Sequence, residues 1–75
     1  IEFVLGTRQS ATVEIFDVAG RRVDVLTRDR AMGPGVVRVS WDGRDASGRD
    51  LGSGVYLYRI TAADGVGGGK IALLK

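Results

Sequence analysis

The sequence predicts an all-β chain folded as an antiparallel β-sandwich of six to seven short strands. Three observations carry this. Apolar residues recur at every second position in several short runs, among them Ile1, Phe3 and Leu5, then Val13 and Ile15, then Val37, Val39 and Trp41, then Tyr56, Tyr58 and Ile60, while no stretch keeps the helical period. Twelve glycines and a single proline interrupt those runs, and glycine is what tight turns between strands require. The hydrophobic fraction of 44% is too high for a disordered linker, so the glycines mark turns in a packed chain.

Each element follows in order. Residues 1–5 set Ile1, Phe3 and Leu5 against Glu2 and Val4, the alternation of a half-buried strand, and residues 6–10 break it. Residues 11–16 resume it, with Val13 and Ile15 on one face and Thr12 and Glu14 on the other. Residues 17–21 read as a hairpin loop with Gly20 at a positive φ. Residues 22–26 carry Val23 and Val25 inward, and Leu26 falls out of phase, which predicts a bulge or the end of pairing. The polar residues 27–35 are too short for a stable helix and read as a loop between sheets. Val37, Val39 and Trp41 then form an inward stripe, with Trp41 expected as a central core residue.

Residues 41–58 read as a structured crossover with buried aromatic ends. Gly43, Gly48, Gly52 and Gly54 alternate there with Asp42, Asp45, Ser47, Asp50 and Ser53, residues that supply positive φ and side-chain-to-backbone hydrogen bonds. Residues 55–63 form the longest strand, with Tyr56, Tyr58 and Ile60 on its inner face because Arg59 lies on the other. Residues 63–69 read as a flexible turn, and residues 70–75 as a closing strand in which Ile71 and Leu73 alternate with Ala72 and Leu74.

At 75 residues the chain is a single domain, residues 1–75, of a size at which one core gives only marginal stability. Cysteine and histidine are both absent, which removes disulfides, thiol chemistry, the commonest general base and the usual transition-metal ligands. So short a chain also forms no cleft of the usual catalytic size, and no enzymatic activity is expected. The 11 basic and 9 acidic residues are mixed along the sequence, as in Arg28, Asp29 and Arg30, whereas phosphate recognition wants a clustered basic face, so no nucleic-acid partner is expected. No apolar run approaches the ~20 residues that span a bilayer, so no membrane insertion is expected and an export signal would lie upstream.

Asp42, Asp45 and Asp50, with Ser47, are hard oxygen donors and the weak candidates for a calcium site. Their spacing does not match the alternating acidic positions of an EF-hand loop, and turn formation explains the same residues without a metal, so no metal and no cofactor are expected. Tyr56, just after a glycine-rich corner, suits a tyrosine corner whose hydroxyl bonds back to nearby backbone. The alternative, a sugar-stacking tyrosine in an accessory carbohydrate-binding sandwich, requires that Trp41, Tyr56 and Tyr58 be exposed. Gly67, Gly68 and Gly69 lack both the spacing and the following helix of a phosphate-binding loop.

Several segments together resemble one family. They are residues 13–23 around Gly20, residues 35–45 with Trp41, Asp42 and Gly43, then Gly48, then Gly54 and Val55 through Tyr56 and Tyr58 to Ile60, and finally Lys70, Ile71, Ala72, Leu73, Leu74 and Lys75. The chain resembles the type A C-terminal sorting domains of the type IX secretion system and the closely similar immunoglobulin-like domain of the flagellar hook-capping protein. That resemblance implies an immunoglobulin-like sandwich of seven strands, non-catalytic and located outside the cytoplasm, secreted or at the cell surface of a bacterium. The sorting-domain side implies a C-terminal module fused to an upstream cargo, read by the secretion translocon and then processed by a sortase-like protein, with residues 70–75 as the sorting strand. The Pro-Asn-Pro-Phe type segment that usually opens sorting domains is absent here, which would place the cleavage region outside this chain. The hook-cap side implies a structural module that packs between domains or subunits.

Overall fold

The structure, a computed structural model, describes residues 1–74. Among them the period-two runs become six strands: β1 (Glu2–Leu5), β2 (Gln9–Phe16), β3 (Arg22–Met32), β4 (Gly35–Arg38), β5 (Gly54–Ala62) and β6 (Gly65–Leu73). β1 and β4 form a two-stranded sheet, the other four pair in the order β3-β2-β5-β6, and every pairing is antiparallel. The all-β sandwich read from the sequence is the fold of the chain.

The core sits under the middle of β2. Val13 and Ile15 are wholly buried there, and Ala11 of the same strand, Leu5 of β1 and Ile60 of β5 close around them. Register explains the grouping: Val13 lies opposite Ile60 and Ile15 opposite Tyr58, so the inner positions of β2 and β5 share one face. In the small sheet Phe3 pairs with Val37 and Val4 with Val36. Leu5 is buried, whereas Val4 and Val36 are 72% and 58% exposed, so the odd positions of β1 face the core as the alternation predicts. Ile1 and Val39 exchange backbone hydrogen bonds at 2.8 and 2.9 Å and extend the ladder by one pair.

Three expectations need correction. Of the polar stretch 27–35 only Gly33 and Pro34 are the expected loop between sheets, because β3 continues to Met32 and pairs back to Gln9. It does so through three register shifts against β2, one of which leaves Leu26 unopposed, the bulge its phase predicts, and one of which lies at Asp29, where φ is 52°. Two of the three irregularities have hydrogen bonds of their own, whereas the buried Thr27 hydroxyl beside the third has none among the described residues. The Asp29 N–H donates to the Thr12 hydroxyl at 3.0 Å, and the Val23 carbonyl accepts the Ala46 N–H at 2.9 Å. β3 is an edge strand, which is why its residues read as polar rather than alternating.

The glycine run at 67–69 is likewise not a turn. Only Ala63 and Asp64 separate β5 from β6, and Gln9 holds that turn, accepting the Asp64 N–H at 2.9 Å and donating to Asp64 Oδ2 at 2.8 Å. Gly67, Gly68 and Gly69 pair in unbroken register with Ile60, Arg59 and Tyr58. Space accounts for two of the three, since a methyl at Gly69 would come within 2.8 Å of the Tyr58 hydroxyl and one at Gly68 would run into the Tyr58 carbonyl, whereas one at Gly67 would meet nothing within 4 Å. Finally, Trp41, Tyr56 and Tyr58 are half-buried rather than buried, and Trp41 lies beyond the end of β4 at the margin of the sandwich, not at its centre.

Candidate interaction surface

The crossover that leads from Trp41 to β5 is a small, closed corner. Gly43 accepts the Leu51 N–H at 2.9 Å, Arg44 and Asp50 form a bridge with a 3.3 Å ion pair, and Asp45 and Arg49 are joined by a 3.0 Å backbone hydrogen bond. The aspartates shape it from within. Asp42 Oδ1 accepts the Arg44 N–H at 3.0 Å, and Asp45 Oδ1 accepts the N–H groups of Ser47 and Arg49, both at 3.0 Å, and the Ser47 hydroxyl at 2.7 Å. The Ser47 hydroxyl, followed by the Arg49 N–H, holds the Asp45 carboxyl below its ordinary value.

Two aromatics fasten this corner to the sandwich. Trp41 and Tyr56 meet edge to face with centroids 5.1 Å apart, Trp41 Nε1 donates to the Arg44 carbonyl at 3.0 Å, and the Tyr56 hydroxyl donates to the Gly52 carbonyl at 2.7 Å. That last bond is the tyrosine corner expected from the sequence. Gly43 is buried at φ 77°, and a methyl on it would lie 2.9 Å from Leu73 Cδ1, so the corner also rests on the end of β6. Gly20, Gly48 and Gly54 take the positive φ expected of them. In the β2–β3 hairpin, Asp17 Oδ1 accepts the N–H groups of Ala19 and Arg21, and the Arg21 N–H above all keeps the Asp17 carboxyl below its usual range.

The three candidate metal ligands are thus engaged as turn formers, with Asp42 and Asp45 directed at backbone N–H groups and Asp50 at Arg44. Among the described residues no cluster of three or more acidic side chains is placed to hold a cation.

A second cluster escaped the sequence reading. Glu14 falls on the outer face of β2 yet is only 7% exposed. It is covered by Arg59, which donates to Oε1 from Nη2 at 2.9 Å and from Nε at 3.2 Å, and by Arg22, which donates to Oε2 at 3.2 Å. Burial alone pushes the Glu14 carboxyl up, but the hydrogen bonds and charges of Arg59 and Arg22 outweigh it and hold the group below its ordinary value. The Arg59 guanidinium also lies 4.9 Å from the centroid of Phe16. The signal was present in register, since Glu14 stands directly opposite Arg59, but register is not readable before the strands are paired.

The two edges of the large sheet differ sharply. β3 is bulged three times, carries Arg28, Asp29 and Arg30 in its exposed half, and has the corner bonded to it through Ala46. β6 runs nine residues in unbroken register and includes the residues expected to form the sorting strand. Lys70, Ile71, Ala72 and Leu73 fall within β6, with Ile71 and Leu73 half-buried and Ala72 exposed. Leu74 follows the strand and is 88% exposed, and Lys75 lies outside the described residues.

Against known proteins, the family model described as FlgD Ig-like domain matches residues 4–65, the greater part of the sandwich up to the first residue of β6. No curated protein and no solved structure matches the chain.

Proposed function

From the premise that the chain belongs to the FlgD Ig-like domain family, we propose that it is a non-catalytic structural module that packs against a neighbouring domain or subunit outside the bacterial cytoplasm. The family match over residues 4–65 carries the reading. The local chemistry agrees with it. The carboxylates whose protonation is displaced, Glu14, Asp17 and Asp45, are each held by arginine, hydroxyl or backbone donors within the sheet or a turn, which is the use of charge expected in a scaffold. The half-buried Trp41 and Tyr56 are spent on each other and on the corner backbone, which favours packing over sugar stacking.

The finer expectation, a sorting domain read by a secretion translocon, rests on residues 70–75, which lie beyond the family match. Two measurements on the intact native protein separate the readings. A packing module gives cross-links from Lys70 to a neighbouring domain or subunit, and removing residues 1–75 weakens the assembly. A sorting module instead carries a fused reporter to the cell surface, and loses that ability when residues 70–75 are deleted. An intact assembly without the domain, together with surface delivery of the reporter, would replace the packing reading by the sorting one.

A further inference from the structure

The large sheet has two faces, and they are used differently. Its inner face carries Val13, Ile15 and Ile60, buried together with Leu5 of the small sheet. On the outer face the pairing lays out rows that cross three strands. Phe16, Leu57 and Lys70 form one row, and Glu14, Arg59 and Gly68 form the next. Gly68 leaves a gap at the end of its row, and no side chain can fill it from within, because a methyl there would run into the Tyr58 carbonyl. The gap belongs to an apolar hollow of about 440 Å³ lined by Phe16, Leu57, Arg59, Val66 and Gly68. Beside it Val66 is 68% exposed.

Charge on this face is unbalanced. β2, β5 and β6 together hold one carboxylate, Glu14, and it is buried beneath Arg22 and Arg59. Lys70 adds a third, exposed cation. The nearby Asp17 is paired with Arg21 at 3.2 Å, and Asp24 of β3 accepts the Val25 N–H at 2.8 Å. Arg59 bonds Glu14 through Nε and Nη2, and Arg22 bonds it through Nη1. Nη1 of Arg59 and Nη2 of Arg22 therefore have no acceptor among the described residues, on side chains that are each 51% exposed. Glu14 and Phe16 hold the Arg59 guanidinium in place while part of its donor set stays unused. A cation fixed in advance loses little rotamer freedom when a partner arrives.

We propose that this outer face docks an acidic segment of a neighbouring domain or subunit. A large apolar side chain of that segment enters the hollow over Gly68, and the carboxylates flanking it pair with Arg59 and Lys70. This deepens the packing-module reading and rests on it, naming the surface and the chemistry of the partner. Charge complementarity selects the partner: the one carboxylate of the three strands is already consumed, so the field above the face is positive and attracts a negative chain. The hollow selects the side chain. An apolar floor beside fixed cations suits a leucine or aromatic residue next to aspartate or glutamate, whereas a phosphate backbone would leave the apolar floor unused. A second copy of the same face is repelled by its like charge.

The test is a titration of the isotope-labelled protein with the blocked peptide Asp-Glu-Leu-Phe-Glu-Asp, followed through the backbone amide NMR signals. Shifts are expected at Phe16, Leu57, Arg59, Val66, Gly68 and Lys70, and a counterpart with lysine at every acidic position should move none of them. Alanines in place of the leucine and phenylalanine of the peptide should weaken binding about tenfold, the worth of one partly buried apolar side chain. Arg59 is kept, because its loss would leave Glu14 buried beside a single arginine. Lys70→Glu, at an exposed position, should weaken binding about fivefold and leave the unfolding midpoint unchanged. Arg30→Glu, the same change of charge on β3, should leave the affinity as it is. No shift, equal shifts with the lysine peptide, shifts on β3 in place of β5 and β6, or undiminished affinity for Lys70→Glu would each overturn the proposal. A single-stranded oligonucleotide that displaced the peptide from these residues would assign the face to nucleic acid and overturn it as well. The packing reading would survive each of these results, because loss of the assembly on removing residues 1–75 tests it separately.

Discussion

Trp41→Ala is the perturbation that best tests the corner. A large aromatic withdraws 150–250 Å² when fully buried, so the half-buried indole loses about 100 Å² of contact with water. At ~25 cal/mol per Å², reduced for a compact unfolded chain, this is about 2 kcal/mol. The edge-to-face contact with Tyr56 at 5.1 Å adds about 1 kcal/mol. The hydrogen bond from Nε1 to Arg44 adds only about 0.5 kcal/mol, because the exposed Arg44 carbonyl can bond water instead. The expected loss is about 3 kcal/mol, a large share of the ~4–11 kcal/mol that 75 residues ordinarily hold. It corresponds to a fall in Tm of roughly 12–24 °C for a domain of this size. Trp41 is the single tryptophan, so its removal abolishes the usual fluorescence signal, and urea unfolding should be followed by far-ultraviolet circular dichroism. Trp41→Phe, which keeps an edge-to-face partner and loses the N–H, should lose about 1 kcal/mol. A loss below about 1 kcal/mol for Trp41→Ala would show that the corner is not fastened through this pair.

Other outcomes follow from the same contacts. Glu14, Asp17 and Asp45 are all held below their ordinary values of 4.5, 3.8 and 3.8. Carboxylates depressed in the folded state contribute stability above their unfolded pKa and lose it as pH falls through the folded one. The unfolding midpoint should therefore be flat from neutral pH to near 4.5 and fall on further acidification, with a lower plateau and a shallower acid limb for Glu14→Gln; a midpoint that rises below 4.5 would refute the assignment. Gly69→Ala forces a methyl to within 2.8 Å of Tyr58 and should cost about 1–3 kcal/mol in urea unfolding. Gly67→Ala, in the same strand with open space around it, should change stability by less than about 0.5 kcal/mol, as surface substitutions do. Gly43→Ala combines a left-handed backbone cost of about 1–2 kcal/mol with the clash on Leu73, and should lower Tm more than an alanine at Gly48, where the φ is similar and the space is open.

The parts of this fold legible in the sequence are those where one face is buried and the other is not. Phe3 and Leu5 against Val4, Val13 and Ile15 against Thr12, and Tyr56, Tyr58 and Ile60 against Arg59 each announce a strand because burial imposes a period of two. The corner was legible for a different reason: Asp42, Asp45 and Gly48 act on backbone within a few residues, so their effect is local in sequence. Glu14 shows what is lost. Its polarity marks a solvent face, and only the pairing of β2 with β5 reveals that Arg59 arrives to cover it. Trp41 errs in the opposite sense, since its size suggested the centre of the core, but its place after the end of a short β4 puts it at the margin.

The two stretches misread as loops, 27–32 and 67–69, lie on the two edge strands of one sheet, and this is no coincidence. A central strand is defined by side chains packed on its neighbours, whereas an edge strand is held by backbone hydrogen bonds on one side, and backbone bonds leave no trace in residue type. What residue type does record at an edge is how the unpaired side is managed. On β3, charge and bulges with the Ala46 N–H on Val23 close it. On β6 the first half is mostly glycine and Lys70 is the only charge; Tyr58 occupies the space that side chains at Gly68 and Gly69 would take, while Gly65 and Gly67 have open space. The same substitution pattern that hides β6 from a sequence reading therefore makes it the side of the sheet with most backbone free to meet a neighbour. The outer face beside it has its arginines held in place on Glu14 and Phe16. Any surface scan for the neighbour of this domain should accordingly find its strongest effects at Val66, Gly67 and Ala72 and weaker ones at Arg28 and Arg30; the reverse order would place the neighbour on the β3 edge and refute the asymmetry argued for the two edges.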